Sequence, residues 1–201
     1  MRIRTKAVAL LFTAASSSTS VARRASPEAL VPHAAGLAQK KDPSVEAAPL
    51  LPLLATLAQV HTGDRVALDS AWPTPERFDL LLADRVTGAK HALDERLLML
   101  LRALAAKHLG GRIELVSGYR SPKLNEMLRK KGHHVSAHSQ HSLGNACDFR
   151  IVPNEEDTAM DPRLVEFEIR ALGWNGGVGV YPTKDDWFIH ADVGRRRSWV
   201  N

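Results

Sequence analysis

A single cysteine, Cys147, stands in the 201-residue chain, so no disulfide can form within it and the fold has to hold through its hydrophobic core. A long apolar run is missing too. The N-terminal stretch AVALLFTAA, residues 7–15, falls well short of the ~20 apolar residues that cross a bilayer as a helix, which excludes a stable anchor there. No block of like charge reaches the length of a nucleic-acid arm, the nearest being Arg195 to Arg197. Internal repeats are absent as well. What is present is ordinary for a globular protein: 44% hydrophobic and 24% charged residues. The length provides for one domain with a sizeable core plus an extension.

The extension reads in two parts. Residues 1–22 have a basic start (Arg2, Arg4, Lys6), the short apolar run and then small residues, the three-part order of a secretory signal peptide. Cleavage is expected after Ala22, with Ala15 as the other candidate. No cysteine is there to carry a lipid, and no arginine pair precedes the apolar run, so the general secretory route is expected. Residues 23–56 carry Pro27, Pro32, Pro43, Pro49 and Pro52 among alanines and leucines, and prolines at that density break any long helix, leaving a tether. Part of the net charge of +5 leaves with the leader. The mature chain is then only mildly basic, a balance that suits an anionic polymer without demanding one.

The domain is expected over residues 57–201. His61, Thr62 and Gly63 read as a turn between two strands, followed by a loop and a short helix in SAWPTPERFDLLLAD. LDERLLMLLRALAAKHLG places Leu97, Leu98, Leu101, Leu104 and Ala105 at helical spacing, opens on Asp94 and Glu95 and closes on Lys107, His108 and glycines, as the helix dipole prefers. RIELVSGYR alternates as a strand, and Ser121–Pro122 caps a second helix. The strand DFRIV, the helix PRLVEFEIRALGW and the strands GGVGVYP and WFIHADV complete the order, the last two joined by TKDD. Intermixed helices and strands with hairpin-length links predict an α+β fold with a mainly antiparallel sheet and flanking helices.

HSQHSLGNACDFRI, residues 138–151, sets His141 and Asp148 either side of Gly144. If the glycine lets the chain fold back, both side chains can serve one metal ion, with His190 of WFIHAD as a third ligand from a neighbouring strand; a hydrolytic zinc takes three protein ligands and leaves a position for water. The spacing leaves the plainer alternatives open: a solvated Ser/His loop and a packed strand histidine.

Ser139, His141, Gly144, Ala146 and Asp148 fit SxHxxGxAxD, framed by SGYRSP upstream, GGVGVYP and FIHAD downstream and an early VHTG. This combination resembles the zinc peptidases of the lysostaphin, D-Ala-D-Ala metallopeptidase and hedgehog superfamily, most closely the murein endopeptidase K-like branch, over roughly residues 57–201. The resemblance implies a hedgehog/DD-peptidase-like fold, one Zn²⁺ held by His141, Asp148 and His190, and peptidoglycan stem peptides as substrate. The leader points to a periplasmic or cell-envelope location, the short basic runs to no nucleic-acid partner, and a monomer is expected. A zinc carboxypeptidase for terminal D-alanine and a non-catalytic peptidoglycan-binding module of the same fold are the alternatives.

Further roles follow from residue type and position. Ser139 either holds a ligand or substrate atom by a hydrogen bond or merely forms the turn. Some relatives place a glutamate three residues before the last histidine, where Trp187 stands here. Asp192 shares a strand face with His190 and is the expected general base, with Asp186 at the start of the strand as the rival and His138 next. Arg120 carries a planar fork suited to a substrate carboxylate or carbonyl, or else forms a surface ion pair. Cys147, beside Asp148, points to the opposite face and is expected as a buried structural thiol; Tyr119 is expected to pack.

Overall fold

Short amphipathic segments with explicit stop and start residues shape this chain into small, well-delimited elements. The structure, a computed structural model, describes residues 51–132 and 138–201. The expected signal peptide, the tether up to residue 50 and residues 133–137 lie outside the described residues. Within them are β1 (Ala55–Gln59), β2 (Arg65–Leu68), α1 (Pro75–Leu81), α2 (Glu95–Ala105), β3 (Gly111–Ser117) and α3 (Pro122–Lys130). A 3₁₀ turn at Gln140–Leu143 then leads into β4 (Ala146–Val152), α4 (Pro162–Ala171), β5 (Gly177–Pro182), β6 (Trp187–Asp192) and β7 (Arg197–Val200). The expected start of the domain falls inside β1, whose first two residues belong to the stretch read as tether.

The helices begin where the side chains dictate. Thr74, Asp94, Ser121 and Asp161 each accept a hydrogen bond from a first-turn backbone N–H of α1, α2, α3 and α4 in turn, satisfying donors that the helix itself leaves unpaired. The stripe Leu97, Leu98, Leu101, Leu104 and Ala105 is fully buried, and α2 packs it against β3 while α4 covers β5 and β6. Cys147, Phe149 and Ile151 of β4, Val178 and Val180 of β5, and Ile189 and Ala191 of β6 face these helices in the core. Strand alternation therefore turns Asp148, Gly179, His190 and Asp192 to the opposite face of the sheet.

The sheet runs β2-β1-β3-β4-β6-β5-β7. It is mixed, which corrects the mainly antiparallel expectation: β1 pairs β3 and β5 pairs β7 in parallel, the other four pairings being antiparallel. Two physical reasons account for this. The chain returns from β1 to β3 through β2, α1 and α2, a crossover of the length parallel pairing needs. The link from β6 to β7, residues 193–196, is as short as a hairpin, yet it steps past the start of β5 to the outer edge. Glycines make that passage possible: a Cβ at Gly176 would collide with the Asp192 carbonyl, and one at Gly177 with the Asp192 carboxylate and Arg197. Arg170 of α4 pins the crossing, donating to the carbonyls of Trp174 and Gly176 at 2.9 Å and of Arg197 at 2.6 Å.

Asp84 ties the loop after α1 to the start of α3. Its carboxylate accepts from the backbone N–H groups of Ser121 (2.6 Å), Thr87 (2.7 Å) and Val86 (2.9 Å). Burial works against the charge, but these donors outweigh it and bring the carboxyl down to about 2. A depressed carboxyl adds stability that is complete above its unfolded value near 4 and is lost as pH falls through its folded value near 2. Asp84→Asn is expected to lower stability at neutral pH and to flatten the acid limb between about pH 4 and pH 2, followed by circular dichroism during acid titration.

Candidate metal centre

The turn ahead of β4 does what its glycine permits. Gly144 closes the 3₁₀ turn with φ 72°, a left-handed conformation open to glycine at little cost, and a Cβ there would run into the Ala92 carbonyl and the His91 ring. The fold-back buries His141 and delivers it over β4. There the ladder sets Asp148 opposite His190 of β6. The same row continues to Gly179 of β5 and Trp199 of β7. On the other side, an irregularity in β3 between Leu115 and Ser117 brings Ser117 level with Asp148, the re-aiming that bulges provide next to functional sites.

Three atoms converge there. His141 Nε2 lies 3.1 Å from Asp148 Oδ1 and 3.1 Å from His190 Nδ1, and the last two are 2.8 Å apart. All three residues are buried and together form a cluster able to hold a metal ion. Each is fixed from behind by a different partner. His141 Nδ1 donates to the Gly118 carbonyl at 2.7 Å. Arg120 takes the outer oxygen of Asp148 through Nη2 and donates through Nε to Ser117 Oγ at 2.9 Å. His190 Nε2 donates to Asp192 Oδ2 at 2.9 Å.

These partners decide where the protons are. A carbonyl only accepts, so the proton of neutral His141 is on Nδ1. Asp192 is an ionised acceptor, so His190 keeps a proton on Nε2. His141 Nε2, His190 Nδ1 and Asp148 Oδ1 are then three electron-pair donors facing one another. Burial lowers the His141 pKa to about 4, which keeps it neutral. For Asp148, burial favours the neutral acid, but His141 and Arg120 beside it hold its carboxyl well below the usual carboxylate range. Burial opposes charge on His190, yet its contacts with Asp148 and Asp192 raise its pKa, so without a cation a second ring proton on Nδ1 is favoured as a bridge to Asp148, and a metal ion would take that proton's place. The place between the three atoms therefore attracts positive charge. Ligand atoms bound at about 2.0–2.1 Å to a tetrahedral zinc stand roughly 3.3 Å from one another, close to the spacings found, and a mixed imidazole–carboxylate set suits such an ion. The residues fit the metal.

The other singled-out residues fall differently. Asp192 does share the face of His190, but it reaches the far nitrogen, away from the convergent atoms. It is fully buried and accepts from Arg197 (2.7 and 3.1 Å), Gly194 N (2.8 Å) and Gly177 N (3.3 Å) besides His190. Burial alone would raise its pKa, and these donors with His190 lower it to about 2. Every oxygen lone pair is thus engaged, which leaves Asp192 no free basic site. Arg120 is largely buried against Asp148 rather than in a surface ion pair. Ser139 lines the cavity wall and bonds none of the three ligand atoms among the described residues. Asp186 and the exposed His138 line the same cavity of about 640 Å³, together with Tyr181, Phe188 and Trp199. Cys147 is buried on the opposite face, its thiol pushed up by burial. Tyr119 stacks on His91 at 4.7 Å.

Sequence reasoning missed Gly118, Arg197 and Trp199. Gly118 acts through its carbonyl, which no side-chain pattern reveals. Gly179 marks Trp199: a Cβ there would clash with the indole, which lies over the strand with its ring 5.2 Å from that of His190.

The family described as Peptidoglycan L,D-endopeptidase MepK matches residues 56–199. No curated protein and no solved structure matches the chain.

Two substitutions separate ligand from support. His141→Ala is expected to abolish Zn²⁺ binding, since one of the three converging donor atoms is removed. Asp192→Asn lets the His190 ring accept the wrong tautomer and is expected to weaken Zn²⁺ binding about 10–100-fold without abolishing it, measured by competition with a chromophoric chelator.

Proposed function

The chain belongs to the peptidoglycan L,D-endopeptidase MepK family and is a metallopeptidase, and from that membership we propose that it is an exported zinc enzyme of the cell envelope that hydrolyses the amide bonds of stem-peptide cross-links. The observation that carries the reading is the convergence of His141 Nε2, Asp148 Oδ1 and His190 Nδ1 at the floor of a peptide-sized cavity. A volume of about 640 Å³ accommodates several residues of a peptide. The N-terminal leader, expected from the sequence, supports export. No helix among the described residues is long and apolar enough to cross a membrane.

His141, Asp148 and His190 would hold the zinc. When bound, it supplies Lewis acidity that lowers the pKa of a water molecule and polarises the scissile carbonyl. The protein's own groups do the rest. Arg120 keeps one oxygen of Asp148 for the metal by engaging the other, and the Gly118 carbonyl and Asp192 fix the two imidazoles, so the ligand set is arranged before substrate arrives. Arg120 and Arg197 are paired with Asp148 and Asp192, so Arg85 is the arginine of the cavity wall without a carboxylate partner among the described residues and is placed to draw the carboxylates of stem peptides. The proton released by the attacking water needs a carboxylate that is not already saturated. Among the described residues, Asp186 and Asp148 are the side-chain carboxylates lining the cavity, and Asp148 is a ligand in this reading. Asp186 is therefore assigned as general base, and Asp192 as the group that positions His190.

Incubation of purified murein with the mature protein is expected to release new muropeptides that vanish with a chelator and return with Zn²⁺; no chelator-sensitive product would refute the reading. Asp186→Asn is expected to keep its zinc and lose 10²–10⁴-fold in rate, the usual worth of a positioned acid–base group. If it stays fully active, the proton goes to another group, His138 being next along the wall.

A further inference from the structure

Tyr181 stands on β5 two residues beyond Gly179, on the face of the sheet that carries the ligands, paired with Phe188 of β6. The two rings stack at 4.4 Å with 15° between their planes, which holds the phenol in one orientation. Trp199 Nε1 donates to the Tyr181 hydroxyl at 3.3 Å. An indole nitrogen can only donate, so the hydroxyl oxygen accepts there and its own proton has to point elsewhere. No other partner of that hydroxyl exists among the described residues, and Tyr181 lines the cavity. Asp148, Arg120 and Asp186 all lie near enough to act on its charge.

We propose that Tyr181 is a catalytic residue that donates its O–H to the substrate oxygen on which charge develops during hydrolysis. This rests on the peptidase reading above. When water adds to the scissile carbonyl carbon, a C–O bond forms and the π pair moves to the carbonyl oxygen. That oxygen is the one Tyr181 meets. The proton of the water passes to Asp186, then to the amide nitrogen as the C–N bond breaks and the carbonyl is restored. Tyr181 keeps its proton throughout. Burial raises its pKa from the ordinary value, consistent with a donor and not with a base. The fold thereby supplies an oxyanion donor from the strand next to the ligand strand, oriented by an indole from the strand beyond.

Tyr181→Phe removes one oxygen and preserves the ring stack. It is expected to lower kcat on a defined cross-linked muropeptide about 10²–10³-fold, with KM within twofold and zinc content and melting temperature unchanged. A phosphinate analogue of the cross-link, whose tetrahedral oxygens mimic the charged species, is expected to bind Tyr181→Phe more weakly by a similar factor, while the substrate itself binds as before. Wild-type kcat in the variant, or undiminished phosphinate affinity, would overturn the assignment and leave the peptidase reading intact. Loss of zinc or of thermal stability in step with activity would also overturn it, making the hydroxyl a structural strut. An inactive wild-type protein would overturn both readings together.

Discussion

Three buried donor atoms stand within about 3 Å of one another, and each is anchored from behind. The Gly118 carbonyl, Arg120 and Asp192 provide that anchoring, each from a different part of the chain. Positive charge, a proton or a cation, is what the place between them accepts, so any affinity for an ion would be built from hydrogen bonds that never touch it. Burial sharpens the effect, since little water reaches the site to screen the donors.

The sheet makes such anchoring possible. One cross-strand row runs Ser117, Asp148, His190, Gly179, Trp199 through β3, β4, β6, β5 and β7. Its members are distant in sequence and adjacent in space. The next row on the same face, two residues along, brings Ala146, Asp192, Gly177 and Arg197 together, so the support sits beside the three converging residues. The apolar face of the same strands packs on α2 and α4. A slip by one residue in any central pairing would exchange ligands for core side chains, and the cost of burying the ligands among leucines holds the register in place.

Local features were the most legible from sequence. The capped stripe of α2 and the Ser121–Pro122 start of α3 follow from side chains acting on their own turn. His141 and Asp148 were suggested by a glycine between them, and His190 by its place in an apolar strand; the structure brings all three together. The parallel pairings and β7 stayed hidden, because a four-residue link reads as a hairpin whether or not it passes a strand. Asp192 shows the limit of the face argument. Alternation gave the correct side of the sheet, but it could not tell which ring nitrogen of His190 the carboxylate would meet, nor that Arg197 would claim both its oxygens. Those facts depend on a strand that arrives by crossing over another.

That crossing puts the brace of the site on an edge strand. β7 is paired on one side only, to β5, yet it carries Arg197, which holds both oxygens of Asp192, and Trp199, whose ring lies 5.2 Å from that of His190. Exposed margins of a fold open more readily than its interior. Fraying there would release Asp192 and uncover His190 while the core between the sheet and its helices stayed closed.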